Sequence, residues 1–192
     1  MSAFRLSLAL LLASVAGACA REAVTEPPVN SASSAEAAPA PASVTPSAVP
    51  LPADAPRVTP GPTEPLEVVT SRGPVSFKVE LADEEPERSQ GLMWRGSMDA
   101  DRGMIFDYGQ SLELSPRTQR GFWMRNTYIP LDIIFIGPDG RIQSIARNTE
   151  PLSEAMIFAG PGPVRAILEI NGGLAERLGI QPGDRVRHRI FP

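Results

Sequence analysis

Eleven of the chain's 21 prolines fall between residues 20 and 65, in a stretch that holds no aromatic residue. That asymmetry decides where a fold can form. A segment dominated by Pro, Ala, Ser and Thr cannot bury enough apolar surface to offset the entropy of ordering it. Residues 19–65 therefore read as a disordered, partly polyproline-like linker. Both Trp, both Tyr and every Phe except Phe4 lie beyond it. The folded unit is expected over residues 66–192, a length that can bury one core.

What precedes the linker reads as an export signal over residues 1–18. Arg5 supplies a basic start and Leu6–Gly17 an apolar run, too short to span a bilayer, which takes about 20 residues. Two cleavages fit the residues that follow. Ala18-Cys19-Ala20 is an A-x-A site cut before Arg21, which gives a soluble periplasmic or secreted protein. Val15-Ala16-Gly17-Ala18-Cys19 resembles a bacterial lipobox, whose cysteine is lipidated and becomes the new N-terminus. A lone cysteine at that place, with a long tether after it, favours the lipoprotein. The expected partner of the N-terminus is then a membrane, reached through lipid on Cys19. Ala20 rather than Asp after the cysteine points to the outer membrane, facing the periplasm, in many Gram-negative bacteria.

Charge and rare residues exclude several classes. The chain carries 18 Lys+Arg against 22 Asp+Glu, and residues 66–192 carry 15 against 17. No basic surface for nucleic acid is expected from that balance. One His and one Cys are too few for a structural zinc site or a triad built on a placed histidine. Nor do disulfides hold the domain together. Met93, Met98, Met104, Met124 and Met156 are scattered without His or Cys partners, so they read as packing rather than Cu(I) ligands. Asp83, Glu84, Glu85 and Glu87 lack the spacing and turn glycine of a calcium loop and read as a solvated helix start. No cofactor or metal is expected.

The domain reads as mostly β with two short helices. Val75, Phe77, Val79 and Leu81 alternate with Ser76, Lys78 and Glu80 across a strand from Pro74 to Leu81, after a first strand at Leu66–Thr70. Asp83 is placed to cap a helix running to about Gln90, with Gly91 at its exit. Ile133–Ile136 is a continuous β-branched and aromatic run, the pattern of a strand buried on both faces. Pro138-Asp139-Gly140 turns it into a hairpin with Arg141–Ala146. Val164–Ile170 is another strand, and Asn171 is placed to cap a short helix ending near Gly179. In a last strand over 185–190, His188 lies on the packed face and Arg185, Arg187 and Arg189 on the solvated one.

Three segments stand out: ERSQGLMWR (87–95), GMIFDY (103–108) and GFWMRNTYIPLDIIFI (121–136). With PDGRI and the later ILEI…G…GIQPGDRV, they resemble the DUF192 family of small secreted or lipid-anchored proteins. The likeness covers nearly all of residues 66–192. It implies a compact barrel-like or jelly-roll-like β fold and no established activity. Where relatives often carry a Tyr before the penultimate strand, this chain has Met156-Ile157-Phe158.

The candidate ligand-binding residues are Arg95, Trp123, Arg125, Asn126 and Asp132. On an extended segment Trp123 and Arg125 share one side, opposite Phe122 and Met124. An aromatic ring and a guanidinium can together hold a planar or anionic ligand, or Trp123 packs under a loop with Arg125 lying over it. Asn126 opens a turn as a ligand-facing amide or a backbone cap. Asp132 is placed to cap the Asn126–Leu131 loop, to sit in a pocket as a base, or to pair with Arg95 or Arg125; the pair is favoured, since a buried carboxylate needs a partner. Three functions follow from this pattern. The first is a non-catalytic binding module for a small polar or anionic envelope ligand. The second is an envelope assembly or protein-interaction domain. The third is a carboxylate-dependent hydrolase or lyase, using Asp132 with Glu169 or Asp107.

Overall fold

The alternation in residues 74–81 does what it promises. β2 (Gly73–Ala82) buries Phe77 and Val79 on one side. It pairs antiparallel with β1 (Thr63–Thr70), which buries Leu66 and Val68 on the same side. The computed structural model describes residues 47–113 and 121–192, with the backbone alone at Gln110 and Ser111. The expected signal, Cys19 and the expected linker up to residue 46 lie outside the described residues.

Five more strands complete one sheet: β3 (Arg102–Leu112), β4 (Leu131–Ile136), β5 (Ile142–Thr149), β6 (Val164–Asn171) and β7 (Arg185–Arg187). Their spatial order is β5-β4-β6-β3-β2-β1-β7, and only β2 and β3 run parallel. The parallel step needs a crossover, which helix α1 (Glu85–Gln90) and the loop after it provide. The sheet curls so that its edges meet: Arg141 bridges Arg185 across them, and the Val186 N–H donates to Gly140 O at 2.8 Å. The fold is thus a mostly β, barrel-like sheet with two short helices.

Curling gives the sheet two buried faces. The inner one gathers Leu66, Val68, Phe77, Val79, Ile105, Ile134, Ile136 and Leu168, with α2 (Leu174–Leu178) and Phe191 against it. The outer one carries a second core of Met104, Phe106, Ile133, Phe135 and Ile167. Leu92 from the loop after α1 covers that core, as do Met124 and Ile129 from the chain before β4. Ile133–Ile136 is therefore buried on both sides, as its unbroken apolar run requires. Each of those side chains contributes about 1.5–3 kcal/mol by leaving water.

Several local expectations change. The linker ends earlier than residue 65. β1 begins at Thr63, the Val49 N–H donates to Tyr128 O (2.8 Å), and the Gly61 N–H donates to Glu80 Oε2 (2.8 Å). Backbone donors that find acceptors on the domain hold residues that composition alone leaves unstructured. Helix α1 is capped by Glu84 rather than Asp83, and the Glu87 carboxylate accepts from both of their N–H groups. Gly173, with φ 72°, precedes α2 in place of Asn171. The Asn171 amide instead donates to Met98 O and Asp99 O. The last strand stops at Arg187. His188 nonetheless packs as expected, its side chain 1 % exposed and Nε2 2.8 Å from Glu64 Oε1. Burial lowers its pKa below the ordinary histidine value. Arg187 and Arg189 form exposed pairs with Glu67 and Glu64.

Candidate functional site

Cross-strand register lines up three side chains on the outer face. Glu80 of β2 lies opposite Met104 of β3, and Met104 lies opposite Glu169 of β6. The close approach of β3 to β6 depends on Gly103, where a Cβ would come within 2.6 Å of Glu169 O. Two carboxyls thus share one row of a largely apolar face, and each meets a different fate.

Glu80 is neutralised. The loop after α1 lays Arg95 over it, and the guanidinium donates to both carboxylate oxygens at 2.5 and 2.8 Å with both side chains under a tenth exposed. Burial alone would raise the Glu80 pKa, but the hydrogen bonds from Arg95 and the Gly61 N–H, with the arginine's charge, bring it below the usual carboxylate value.

Glu169 is not neutralised. It is 5 % exposed, and its carboxyl has no hydrogen bond to any described residue. Burial pushes its pKa up to about 8, with the nearby Arg95 charge opposing. Its carboxyl forms the floor of a cleft of ≈ 360 Å³. Phe106 and Tyr108 of β3 line one wall, the end of α1 with Gly91–Met93 another, and residues 121–127 a third. Gly91 takes φ 49°, which turns the chain sharply out of α1 and over Phe106.

The third wall is the segment singled out in the sequence. It is held as an extended run by one bridge, Phe122 to Ile157, and by the Met124 N–H donating to Ser153 O. Phe122 turns inward, with its ring edge-on to Phe106 at 5.4 Å and Phe135 at 6.3 Å. Trp123 turns outward and is 42 % exposed, with the Arg125 guanidinium 4.4 Å from its ring. Arg125 is exposed and makes no ion pair with a described residue. At the opposite rim Arg88 lies 5.5 Å from the Tyr108 ring and donates to Asp83 O and Asp107 O. Burial, and then the Glu169 charge, push the Tyr108 phenol up to about 12.

The five candidate residues thus separate. Trp123 and Arg125 line the cleft together. Asn126, at φ 56°, shapes the turn behind it: its carbonyl accepts from the Trp94 N–H and its side chain reaches Met93 Sδ. Arg95 belongs to the Glu80 pair, so the expected bond between Asp132 and Arg95 or Arg125 does not form. Asp132 is fully buried and accepts from three backbone N–H groups, those of Asn148 (2.7 Å), Gly173 (3.0 Å) and Ala175 (2.7 Å). Backbone donors supplied the partners that the sequence reading looked for among side chains. Asp132 lies opposite Ile170 and Glu169 opposite Ile133, so the two carboxyls of the first pair weighed for a hydrolase lie on opposite faces of the sheet; Asp107, opposite Ala166, is held by Arg165. Among the described residues no group of three His, Cys, Asp or Glu could hold a metal ion. Glu169, weighed in the sequence as a hydrolase carboxylate but not among the ligand-binding residues, had left a trace: a charged side chain inside the apolar strand Val164–Ile170.

Comparison with known proteins agrees with the likeness seen in the sequence. The family model DUF192, described as an uncharacterized ACR, matches residues 67–188. A crystal structure from Novosphingobium aromaticivorans DSM 12444, described as a protein of unknown function, is 44 % identical with a TM-score of 0.60; it covers 71 % of this chain and 94 % of its own. Another, from Sinorhizobium meliloti 1021, is described as a "putative transcription regulator". It is 41 % identical with a TM-score of 0.60, covering 69 % of this chain and 97 % of its own. No curated protein matches.

Proposed function

The chain belongs to the DUF192 family, and we propose that it is an exported, lipid-anchored cell-envelope protein whose β-domain binds a small polar or anionic ligand in the Trp123 cleft. The observation that carries the binding role is the contrast inside one cavity. An exposed Trp123–Arg125 stack stands at the mouth, and at the floor Glu169 has no hydrogen bond to a described residue. Side chains that a fold needs for itself are satisfied within it, as Glu80, Asp107 and Asp132 are. Polar groups left open at the ends of a cleft walled in part by aromatic rings suit an external partner. Among the described residues the cleft is lined by one carboxyl and no histidine, which supports binding over acid–base hydrolysis. The acidic balance of residues 66–192 does not favour a DNA-binding role such as the description of the Sinorhizobium protein suggests.

A thermal-shift screen of sugars, peptidoglycan fragments, amino acids and small anions tests the binding role. At least one compound is expected to raise the melting temperature, and Trp123→Ala is expected to weaken its binding by about 1–3 kcal/mol. The same change should cost about 1 kcal/mol or less of stability, because the ring is half in solvent and its main contact is a cation–π stack. Stability falling by several kcal/mol would return Trp123 to the core. The export signal and lipobox carry the anchoring. Cys19→Ser is expected to move the protein from the membrane to the soluble periplasmic fraction, and an unchanged membrane location contradicts lipidation.

A second reading, docking of another envelope protein, draws on one observation. Trp123, Leu152 and Met156 are all exposed, and they lie on the paired segments 121–127 and 152–157. This reading predicts a co-purifying partner that Trp123→Ala releases.

A further inference from the structure

We propose that the ligand of the Trp123 cleft is a small zwitterion, its ammonium held against Glu169 and its carboxylate or phosphate held at the rim by Arg125. The inference rests on the binding role above and names the chemical class it selects.

Charge is separated along the depth of the cavity. At the floor is a carboxyl, 5 % exposed, that accepts no hydrogen bond from a described residue. At the mouth is an exposed guanidinium whose only described contact is the face of Trp123. Between them stand four aromatic rings, Phe106, Tyr108, Phe122 and Trp123. Aromatic walls with a carboxylate behind them attract an ammonium group, because the ring faces are negative and the carboxylate supplies the counter-charge. A ligand that is only a cation meets Arg88 and Arg125 at the rim. A ligand that is only an anion is held at the rim and gains nothing from the floor. A molecule with both charges satisfies both ends. A volume of ≈ 360 Å³ lies at the small end of ligand cavities and suits an amino acid or a betaine.

Proton linkage gives the proposal a signature. Among the described residues, the charged and titratable groups around Glu169 are Arg95 from the loop after α1, Tyr108 from β3, Arg88 with its partner Glu85 from α1 and Arg125 from the third wall, with Glu80 two strands away. Tyr108 is held neutral up to about 12, and Glu169, pushed up to about 8, is the carboxyl here that changes near neutrality. In the empty cleft it holds its proton up to about pH 8. An arriving ammonium favours the ionised form and displaces that proton. Affinity for the ammonium should therefore rise tenfold per pH unit below about 8 and level off above it.

Calorimetric titration of the full chain with glycine betaine, alanine, choline, acetate and glucose tests this between pH 6 and 9. The tighter of the two zwitterions is expected to bind at least tenfold more tightly than choline or acetate, with the pH profile above. Glu169→Gln should weaken zwitterion and choline at least tenfold, flatten the pH profile and leave acetate unchanged. Arg125→Ala should weaken zwitterion and acetate and leave choline no weaker. Folding of the Glu169→Gln chain is checked by its melt. A buried acid with a raised pKa costs stability as pH rises from the ordinary carboxylate range to about 8, so this chain should melt higher than the native one at pH 8. Acetate or glucose binding as tightly as the zwitterions, with no dependence on Glu169, overturns the zwitterion and leaves the binding role standing. If neither zwitterion binds at millimolar concentration, the zwitterion is likewise overturned. The binding role itself falls only if the wider thermal-shift screen is also empty.

Discussion

Asp132→Ala is expected to lower stability by about 3–5 kcal/mol, among the largest losses any single change in this chain can cause. The carboxylate is fully buried, and its oxygens collect the N–H groups of Asn148, Gly173 and Ala175. Two of these sit at the start of α2 and one in β5, so a single side chain ties two pieces of backbone to the head of β4. Truncation leaves three donors with no acceptor, each worth about 1–3 kcal/mol when buried and unmet. Asp132→Asn keeps an oxygen that can accept from Asn148 and Gly173, so it should lose less, about 1–2 kcal/mol. Urea denaturation of the three chains checks the order. Equal losses for Ala and Asn would mean that the charge, rather than the acceptor geometry, matters.

Arg95→Met is the second large effect, also about 3–5 kcal/mol, because it strands the buried Glu80 carboxylate without its counter-ion. The size comes from the orphaned charge more than from the pair's own net value. Adding Glu80→Leu should therefore recover most of the loss, less the acceptor it takes from the Gly61 N–H. The pair also makes the native chain acid-sensitive. The Glu80 pKa is depressed in the folded state despite burial, through the Arg95 and Gly61 hydrogen bonds. Its contribution is complete above the ordinary carboxylate pKa and is lost as pH falls through the depressed one. The double variant should lose less stability than the native chain as pH falls below the ordinary carboxylate range. A double variant as unstable as Arg95→Met alone would show that Arg95 matters for its packing, not for Glu80.

These two residues mark where the sequence stopped being readable. A strand's own pattern reports how its faces are buried, and so β2, the doubly buried β4 and the packed His188 followed from alternation and run length. The opposite turning of Phe122 and Trp123 followed from the same period of two. Partnerships across the sheet did not, because they depend on strand order. Glu80, Met104 and Glu169 form one row only because β3 runs parallel to β2 and beside β6. That arrangement draws together residues up to 89 positions apart. Asp132 finds its acceptor role at a helix start 41–43 residues away. Backbone donors carry no residue identity, so nothing in the sequence pointed from Asp132 to them. The cleft was accordingly half visible. Trp123 and Arg125 announced themselves as an aromatic–cation pair in an extended segment. Glu169 showed only as a charge out of place.

The central claim is that the cleft over Glu169 is where this protein meets its ligand. Nitrogen–proton correlation spectra of the isotope-labelled chain, recorded through a titration with glycine betaine or the tightest compound from the screen, test it most directly. The account predicts saturable shifts confined to Arg88–Met93, Phe106–Tyr108, Gly121–Thr127 and Glu169, with the Trp123 indole N–H among the most displaced. Shifts centred instead on Glu80 and Arg95, on residues 49–62 or on β7, with the Trp123 indole unmoved, would contradict it.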